Sequence, residues 1–171
     1  MSLFDLVGSL LEPLFDLVPR LTRRPASNEW MVIDSLLKGP VESLRPALHV
    51  PAFTPVDYLP KHQVPIDCGL QRVTTADGVN VAVNATARVE IVDPIVCRQL
   101  TSTDWEEAAA MIIRSQVCET ATGHNWSHLQ DLWLEGEGIE EIGYDLQEIG
   151  MSLVVFRVED AQEVIPLSLM Q

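Results

Sequence analysis

The sequence predicts an α+β fold in which an antiparallel sheet containing a hairpin is covered on one face by helices. Two runs of alternating apolar residues, 64–70 and 79–91, flank the turn 74–78 in the manner of a half-buried hairpin. Helical apolar stripes then occupy residues 94–149, and a further apolar run follows at 153–158. The order strand, strand, helices, strand is typical of a sheet with a single layer of helices.

In the hairpin, the alternation divides the side chains between the two faces of the sheet. The covered face is predicted to hold Val64, Ile66, Cys68, Leu70, Val79, Val81, Val83, Ala85, Ala87, Val89 and Ile91. The opposite face of the second strand is predicted to present Asn80, Asn84, Thr86, Arg88 and Glu90 to water. Asp77-Gly78 supplies the positive-φ residue that a tight turn needs, and Gly69 and Gly150 are interpreted as backbone turns as well.

The helices are predicted from their start signals. Asp93-Pro94 is an N-cap followed by proline at the first helical position, which predicts a short helix to about Leu100. Thr103 and Glu106 have capping-box spacing, which predicts the start of a longer helix that ends at Thr122-Gly123. Its apolar stripe comprises Trp105, Ala108, Ala109, Ile112, Ile113, Val117 and Ala121.

A second capping-box pattern begins at Ser127, and a further apolar stripe precedes Gly150. The stripe comprises Ile139, Ile142, Leu146 and Ile149 and predicts a further helix that Gly150 ends. The run 153–158 alternates too weakly to select one face, so we expect a strand that is buried on both faces.

These landmarks resemble the stomatin, prohibitin, flotillin and HflK/HflC superfamily, also called SPFH or band 7. Residues 75–81 (TADGVNV) are similar to the family's hairpin turn, 92–94 (VDP) to the start of its helices, and 150–160 (GMSLVVFRVED) to its closing strand. Upstream, 29–33 (EWMVI) with Gly39-Pro40 and 51–53 (PAF) resembles its first strand and proline-rich crossing. The resemblance covers residues 28–166 and implies an SPFH/band 7-like domain without catalytic activity, which works by assembling with other copies.

Residues 1–27 are predicted to form an amphipathic N-terminal arm in the place where the family commonly has a membrane segment. LFDLV occurs at 3–7 and again at 14–18, and an offset of eleven residues is close to three helical turns, so both copies present one face. The stripe comprises Leu3, Phe4, Leu6, Val7, Leu10, Leu14, Phe15, Leu17 and Val18. Three uses of it remain open, namely binding in a membrane interface, packing against neighbouring subunits, and folding back on its own domain.

At the other end, residues 167–171 are predicted to be a short tail, and the long coiled coil that follows the family's closing strand is missing from the sequence. No run of about eighteen apolar residues is present, and we expect that the chain does not span a membrane. The sequence therefore predicts lateral packing of domains, which gives a ring when the rotation closes.

The formal net charge of −14 makes nucleic acid an unlikely partner, because nucleic-acid binding requires a basic surface. The acidic residues cluster at 135–148, which predicts either a solvated helix face or a docking face for a basic partner. For lateral contacts between copies, the candidate arginines are Arg88, Arg98 and Arg114, and the candidate acids are Glu137, Glu140 and Glu141.

The remaining chemical candidates are the cysteines and one pair of histidines. Cys68, Cys97 and Cys118 are widely spaced and odd in number, so we interpret them as reduced and structural. His124 and His128 are four residues apart, a spacing that can place two imidazoles near one metal ion. Gly123 and Ser127 predict that a loop separates both histidines from the helices, and no third ligand is apparent in the pattern.

The expected function is therefore a structural scaffold that assembles with itself, with no cofactor and no metal. Two settings remain open. One is a cytoplasmic membrane surface, where the family organises lipid patches or surrounds a membrane protease. The other is a ring or collar in a larger particle such as a virion. A metal-dependent enzyme that uses His124 and His128 is a third, weaker hypothesis.

Overall fold

The computed structural model describes residues 22–23, 25–35, 39–43, 47–48, 56–101, 104–135 and 139–164. It is an α+β structure that divides into two compact units, residues 1–61 and residues 62–171. From the sequence we expect one domain over 28–166. The predicted stripe of the N-terminal arm and the tail 167–171 lie outside the described residues.

The first unit contains short antiparallel strands. Two-residue strands β1 (Thr22–Arg23) and β4 (Ala47–Leu48) pair with each other. A separate sheet has the order β3-β2-β5, formed by β2 (Glu29–Ser35), β3 (Gly39–Glu42) and β5 (Val56–Pro60). The strand predicted at 29–33 is confirmed as part of β2.

Met31 and Val32 of β2 and Leu59 of β5 are buried in this unit, and because Met31 and Val32 are consecutive, each face of β2 carries a buried side chain. On the same strand, the ring of Trp30 makes a cation–π contact with Lys61, whose Nζ atom lies 4.2 Å from the ring centroid. The predicted proline-rich crossing falls partly on Gly39 and Pro40 of β3, whereas 51–53 lie outside the described residues.

The second unit is a three-stranded antiparallel sheet of order β6-β7-β8 with four described helices. The strands are β6 (Val64–Thr74), β7 (Asn80–Ile91) and β8 (Met151–Glu163). The helices are α1 (Pro94–Thr101), α2 (Trp105–Gly123), α3 (Trp126–Glu135) and α4 (Ile139–Glu148). The predicted order of strand, strand, helices and strand is confirmed for this unit.

The core lies between one face of this sheet and the helices. Every odd-numbered residue of β7 is buried, as the alternation predicted. Helix α2 contributes a stripe in which Ala109, Ile113, Val117 and Ala121 are buried as predicted, and Ala110 joins them. No helix that the structure describes packs on the even-numbered face of β7, where Asn80 and Arg88 are exposed, and we call this face the open face of the sheet.

The prediction that Leu70 faces the core is wrong, because a β-bulge intervenes. The register shifts between Asp67 and Leu70, and Gly69 adopts φ +66° at that point. The Asp67 carboxylate accepts a hydrogen bond from the Gly69 amide at 2.8 Å, which stabilises the irregular turn. The extra residue inverts the alternation, so that Leu70 is 66% exposed and Val73 is buried.

The prediction that residues 153–158 are buried on both faces is also wrong. Strand β8 is an edge of the sheet, and Val154 and Val155 are 39% and 37% exposed. Its pairing with β7 shifts twice, next to Val154 and next to Glu159. These irregularities explain the weak alternation, because each extra residue reverses the face of the residues that follow.

Two helices start at residues other than those predicted. Asp104, and not Thr103, caps α2, since its carboxylate accepts a hydrogen bond from the Glu107 amide at 3.1 Å. Helix α3 begins at Trp126, so Ser127 lies within its first turn and does not precede it. By contrast, the predicted cap of α1 is confirmed, because Asp93 Oδ1 accepts from the amides of Ile95 and Val96 at 3.0 Å each.

Gly150 joins α4 to β8 at the point where the chain passes closest to α1. It has φ +77°, and its carbonyl accepts hydrogen bonds from the amides of Val92 and Asp93 at 3.0 Å each. A Cβ atom there would lie 2.5 Å from the Asp93 carbonyl oxygen and 2.9 Å from the Cys97 amide nitrogen. Glycine is therefore required both by the backbone conformation and by the lack of space.

Candidate functional site

The two histidines lie at the corner between α2 and α3, and their placement differs from the prediction. His124 is the C-cap residue of α2, and His128 lies inside α3, so the expected loop around both is wrong for His128. Their ring centroids are 5.9 Å apart. His124 Nδ1 donates to the Thr120 carbonyl at 2.9 Å, which orients that ring toward α2.

Metal chemistry at this corner would need a third ligand beside the two imidazoles. Among the residues that the structure describes, no group of three or more His, Cys, Asp or Glu side chains could hold a metal ion. The metal-dependent enzyme gains no support from the described geometry.

Beside this corner the helices enclose a groove of about 380 Å³, which we call the acidic groove. It is lined by Gln116, Glu119, Thr120, Gly123, His124, Leu132 and Glu141. Glu119 and Glu141 are exposed at its edges, and Leu132, only 4% exposed, forms an apolar base. Two carboxylates above an apolar surface suit a cationic side chain with a long aliphatic stem.

Helix α4 carries the best-described part of the predicted acidic cluster. Glu140, Glu141 and Glu148 are exposed, and Tyr144 lies between them with 66% exposure. Asp145 faces α2, where it accepts a hydrogen bond from Gln116 Nε2 at 2.7 Å. Glu137 lies outside the described residues. The three exposed glutamates therefore form a face of α4 that is directed to solvent and centred on Tyr144.

The open face of the sheet holds a second concave surface, a shallow cleft of about 330 Å³. Arg88 of β7 and Arg157 of β8 line it, together with Val155, Thr86 and neighbouring residues. We call Arg88 and Arg157 the arginine pair. The register pairs Thr86 with Arg157 and Arg88 with Val155, so the two arginines occupy diagonal positions on adjacent strands.

The other two arginines predicted to make lateral contacts are engaged within the chain. Arg114 donates from Nε to the Cys68 carbonyl at 2.9 Å and from Nη1 to Glu107 at 2.8 Å. Arg98 also has an interaction within the chain. Arg88 is the one predicted arginine that the structure leaves exposed on the open face of the sheet.

The hairpin turn is tied to the same helix corner. The Thr75 hydroxyl and the Trp126 amide both donate to the Asp77 carboxylate, and the Ala76 amide donates to the His124 carbonyl at 3.0 Å. The hydrogen bond from Thr75, followed by that from Trp126, holds the pKa of Asp77 below its usual value of 3.8. Asp77 therefore serves both as the turn residue and as a cap for α3.

The three cysteines are free thiols. Cys68 and Cys97 are buried, and burial raises the pKa of Cys68 to about 11 and raises the pKa of Cys97. Cys118 is half-buried, with a pKa that burial also raises, and its thiol donates to Gln71 Oε1 at 3.2 Å. A raised pKa keeps each thiol protonated and poorly nucleophilic at neutral pH, as expected for structural cysteines.

Sequence reasoning placed Glu119 near the two histidines but missed the groove that it lines, and it missed Tyr144 and Arg157. The sequence pattern did not identify Arg157, because the bulges in β8 obscure which of its residues share the face of Arg88. Tyr144 could have been found, since its spacing of three or four residues from Glu140, Glu141 and Glu148 places all four on one helix face. The position of Glu119 in the groove could not have been predicted, because the groove depends on how α4 packs beside α2.

Together, the fold and these surfaces define an α+β domain with a half-covered antiparallel sheet, an arginine-bearing open face and an acidic groove on its helical side. No protein-family model matches this chain, and no curated protein matches it. Among the described residues, no helix is both long and apolar enough to cross a bilayer.

Proposed function

We propose that this chain is a non-catalytic scaffold of SPFH/band 7 type, whose domains pack side by side into a ring or a higher oligomer. The observation that carries the proposal is the order of landmarks along the fold. Four landmarks occur along the chain in the same order as in the family. They are the strand β2, the Asp77-Gly78 hairpin turn, the Asp93-capped helix and the Gly150 turn into β8. Each has a structural role in the described fold, which supports the resemblance as more than a coincidence of residues.

The surface chemistry supports assembly over catalysis. Two arginines and Glu159 line the cleft on the sheet, and two glutamates line the acidic groove. Among the described residues, neither site holds an activated nucleophile or a group of metal ligands. Concave and charged surfaces of opposite sign are typical of recognition between proteins. The partner of this scaffold is therefore proposed to be a further copy of itself.

In this proposal the apolar stripe of the N-terminal arm fastens the assembly. Replacing Leu6 and Leu17 with Asp places two charges on that stripe. The assembly should then dissociate, or leave the membrane, while the domain stays folded. The measurement is mass by light scattering together with flotation on vesicles. If the double variant retains the parent's mass and vesicle behaviour, the stripe has no fastening role. Replacing Ser9 and Ser2 with Asp in the same segment supplies a control of equal charge.

Two settings are proposed for the assembly, a cytoplasmic membrane surface and a larger particle such as a virion. The charge of −14 and the exposed acids of α4 favour the second, because a negative protein is repelled by anionic lipid. Flotation with anionic vesicles separates the two. Protein that floats with the vesicles supports the membrane setting, and an oligomer that stays in the soluble fraction supports the particle subunit.

A further inference from the structure

Arg88 and Arg157, like Arg72, have no partner among the residues that the structure describes. Residues 62–171 contain eighteen acidic residues and five arginines. Yet Arg88 and Arg157 make neither a hydrogen bond nor an ion pair with any residue that the structure describes. Exposed cations on so acidic a protein are available for the carboxylates of another molecule.

One carboxylate of β8, that of Glu159, lines the same cleft and is hydrogen-bonded to neutral donors. Glu159 accepts from the Thr86 hydroxyl at 3.1 Å and from Asn84 Nδ2 at 3.5 Å. Val155, 37% exposed, lies directly opposite Arg88 and adds apolar surface beside the guanidinium groups. The cleft thus combines two arginines, an apolar side chain and the Glu159 carboxylate, and arginine is enriched at interfaces between proteins.

The acidic groove has the complementary composition. Glu119 and Glu141 line the groove from α2 and α4, and Leu132 provides an apolar base from α3. An arginine that enters can place its aliphatic stem on Leu132 and its guanidinium against the carboxylates. Tyr144, one turn from Glu141 on the exposed face of α4, is the kind of aromatic residue that is enriched at interface centres.

We propose that the arginine pair of one copy docks onto the acidic groove of the next copy. This inference rests on the proposed function, because it names the two surfaces through which the copies join. The contact is heterologous, because one copy contributes its arginine pair and the next copy contributes its acidic groove. Repetition of such a contact gives a closed ring or an open filament, according to whether the rotation closes.

The size of the surface indicates how strong one contact can be. Strand β7 has 12 residues, which at about 3.3 Å each gives a length of roughly 40 Å, and three strands about 4.8 Å apart give a width of roughly 14 Å. The open face therefore offers on the order of 500 Å² per copy, below the roughly 800 Å² of a standard interface. A single contact should be weak, and assembly should depend on its repetition in an array.

Charge reversal with rescue by mixing tests the pairing. One variant carries Arg88→Glu and Arg157→Glu, and the other carries Glu119→Arg and Glu141→Arg. Each variant alone presents like charges at the contact, so the concentration for half-assembly should rise at least about tenfold. In an equimolar mixture, the reversed sheet face of one variant meets the reversed groove of the other, and assembly should return to within about twofold of the parent.

Matched controls change the same charges elsewhere. Arg72→Glu alters an arginine on the open face that pairs with Ala82, six residues along β7 from Arg88. Glu106→Arg alters an exposed acid in the first turn of α2, thirteen residues along the helix from Glu119. Both should assemble like the parent, as measured by light scattering and sedimentation at matched concentrations, and all variants should retain the parent's circular dichroism.

The outcomes distinguish the inference from the proposed function. An assembling parent with two disrupted variants that recover on mixing supports the pairing. An assembling parent whose reversed variants assemble normally, or fail to recover on mixing, overturns the pairing and leaves the scaffold proposal standing. A parent that is monomeric at every concentration, with and without vesicles, overturns both.

Discussion

Replacing Gly150 with alanine perturbs the point where α4, β8 and α1 meet. The added Cβ would lie 2.5 Å from the Asp93 carbonyl oxygen and 2.9 Å from the Cys97 amide nitrogen. Both are backbone atoms, which cannot rotate away as a side chain could. Helix α1 would have to move from Gly150, and its movement would disturb the hydrogen bonds from the Val92 and Asp93 amides to the Gly150 carbonyl.

The expected loss of stability has two parts. An alanine at φ +77° costs about 1–2 kcal/mol in backbone conformation. Forcing a methyl group against fixed atoms adds about 1–3 kcal/mol. The sum is about 2–5 kcal/mol in the free energy of unfolding, a large part of the roughly 5–15 kcal/mol that stabilises a typical domain.

Two further glycines separate these contributions. Gly78 has φ +81° with no atom within 4 Å of an added Cβ, so Gly78→Ala should cost only the conformational part, about 1–2 kcal/mol. Gly143 lies in α4 with open space around it, so Gly143→Ala should stabilise the protein by about 0.5–1 kcal/mol through helix propensity.

The assay is urea denaturation of the three variants and the parent, followed by circular dichroism. The predicted order of stability is Gly143→Ala, parent, Gly78→Ala, Gly150→Ala. A Gly150→Ala variant as stable as Gly78→Ala would show that the methyl group is accommodated. The close approach of α1 to the turn would then be refuted.

Three other predictions follow from local contacts. Because the folded-state pKa of Asp77 is depressed, its carboxylate stabilises the fold above the usual value of 3.8, and this contribution disappears as the pH falls through the lower folded-state pKa. Asp77→Asn should flatten that part of a plot of denaturation midpoint against pH, and an unchanged plot would contradict the contact. Leu70→Ser should change stability by less than about 0.5 kcal/mol, whereas Val73→Ser should cost about 2 kcal/mol or more; the reverse ranking in urea denaturation would place the bulge elsewhere. A thiol reagent at pH 8 should label the native protein slowly, with Cys118 first, and should count three thiols after unfolding; rapid labelling of the buried pair would contradict their burial.

The second unit shows how much of the fold the sequence predicted. The alternation in β7 was sufficient because that strand is central and pairs on both sides, so its buried face is fixed along its whole length. The cap at Asp93 and the turns at Gly78 and Gly150 were predictable because each depends on residues adjacent in sequence. Caps and turns that depend only on neighbouring residues form in the same way whatever packs against them.

The errors lie where an extra residue enters a strand. At Gly69 the bulge moves Leu70 to the open face, and two bulges in β8 remove the period on which the prediction depended. Strand β8 is an edge strand, so little packing enforces one face.

The candidate surfaces were harder to predict than the fold because they join residues distant in sequence. Arg88 was a candidate from the alternation, but its neighbour Arg157 follows only from the register between β7 and β8. The acidic groove needs the packing of α2, α3 and α4, which periodicity does not determine. Arg114 was a reasonable candidate for a contact between copies, but its guanidinium is engaged by the Cys68 carbonyl and by Glu107.

The most direct test of the scaffold proposal is the mass of the full chain in solution. Light scattering behind a sizing column, without detergent and then with vesicles, gives this mass over a range of concentrations. We predict a discrete multiple of 19.0 kDa, either in solution or on the vesicle surface. A mass of 19.0 kDa at every concentration, unchanged when vesicles are added, would contradict self-assembly as the function of this protein.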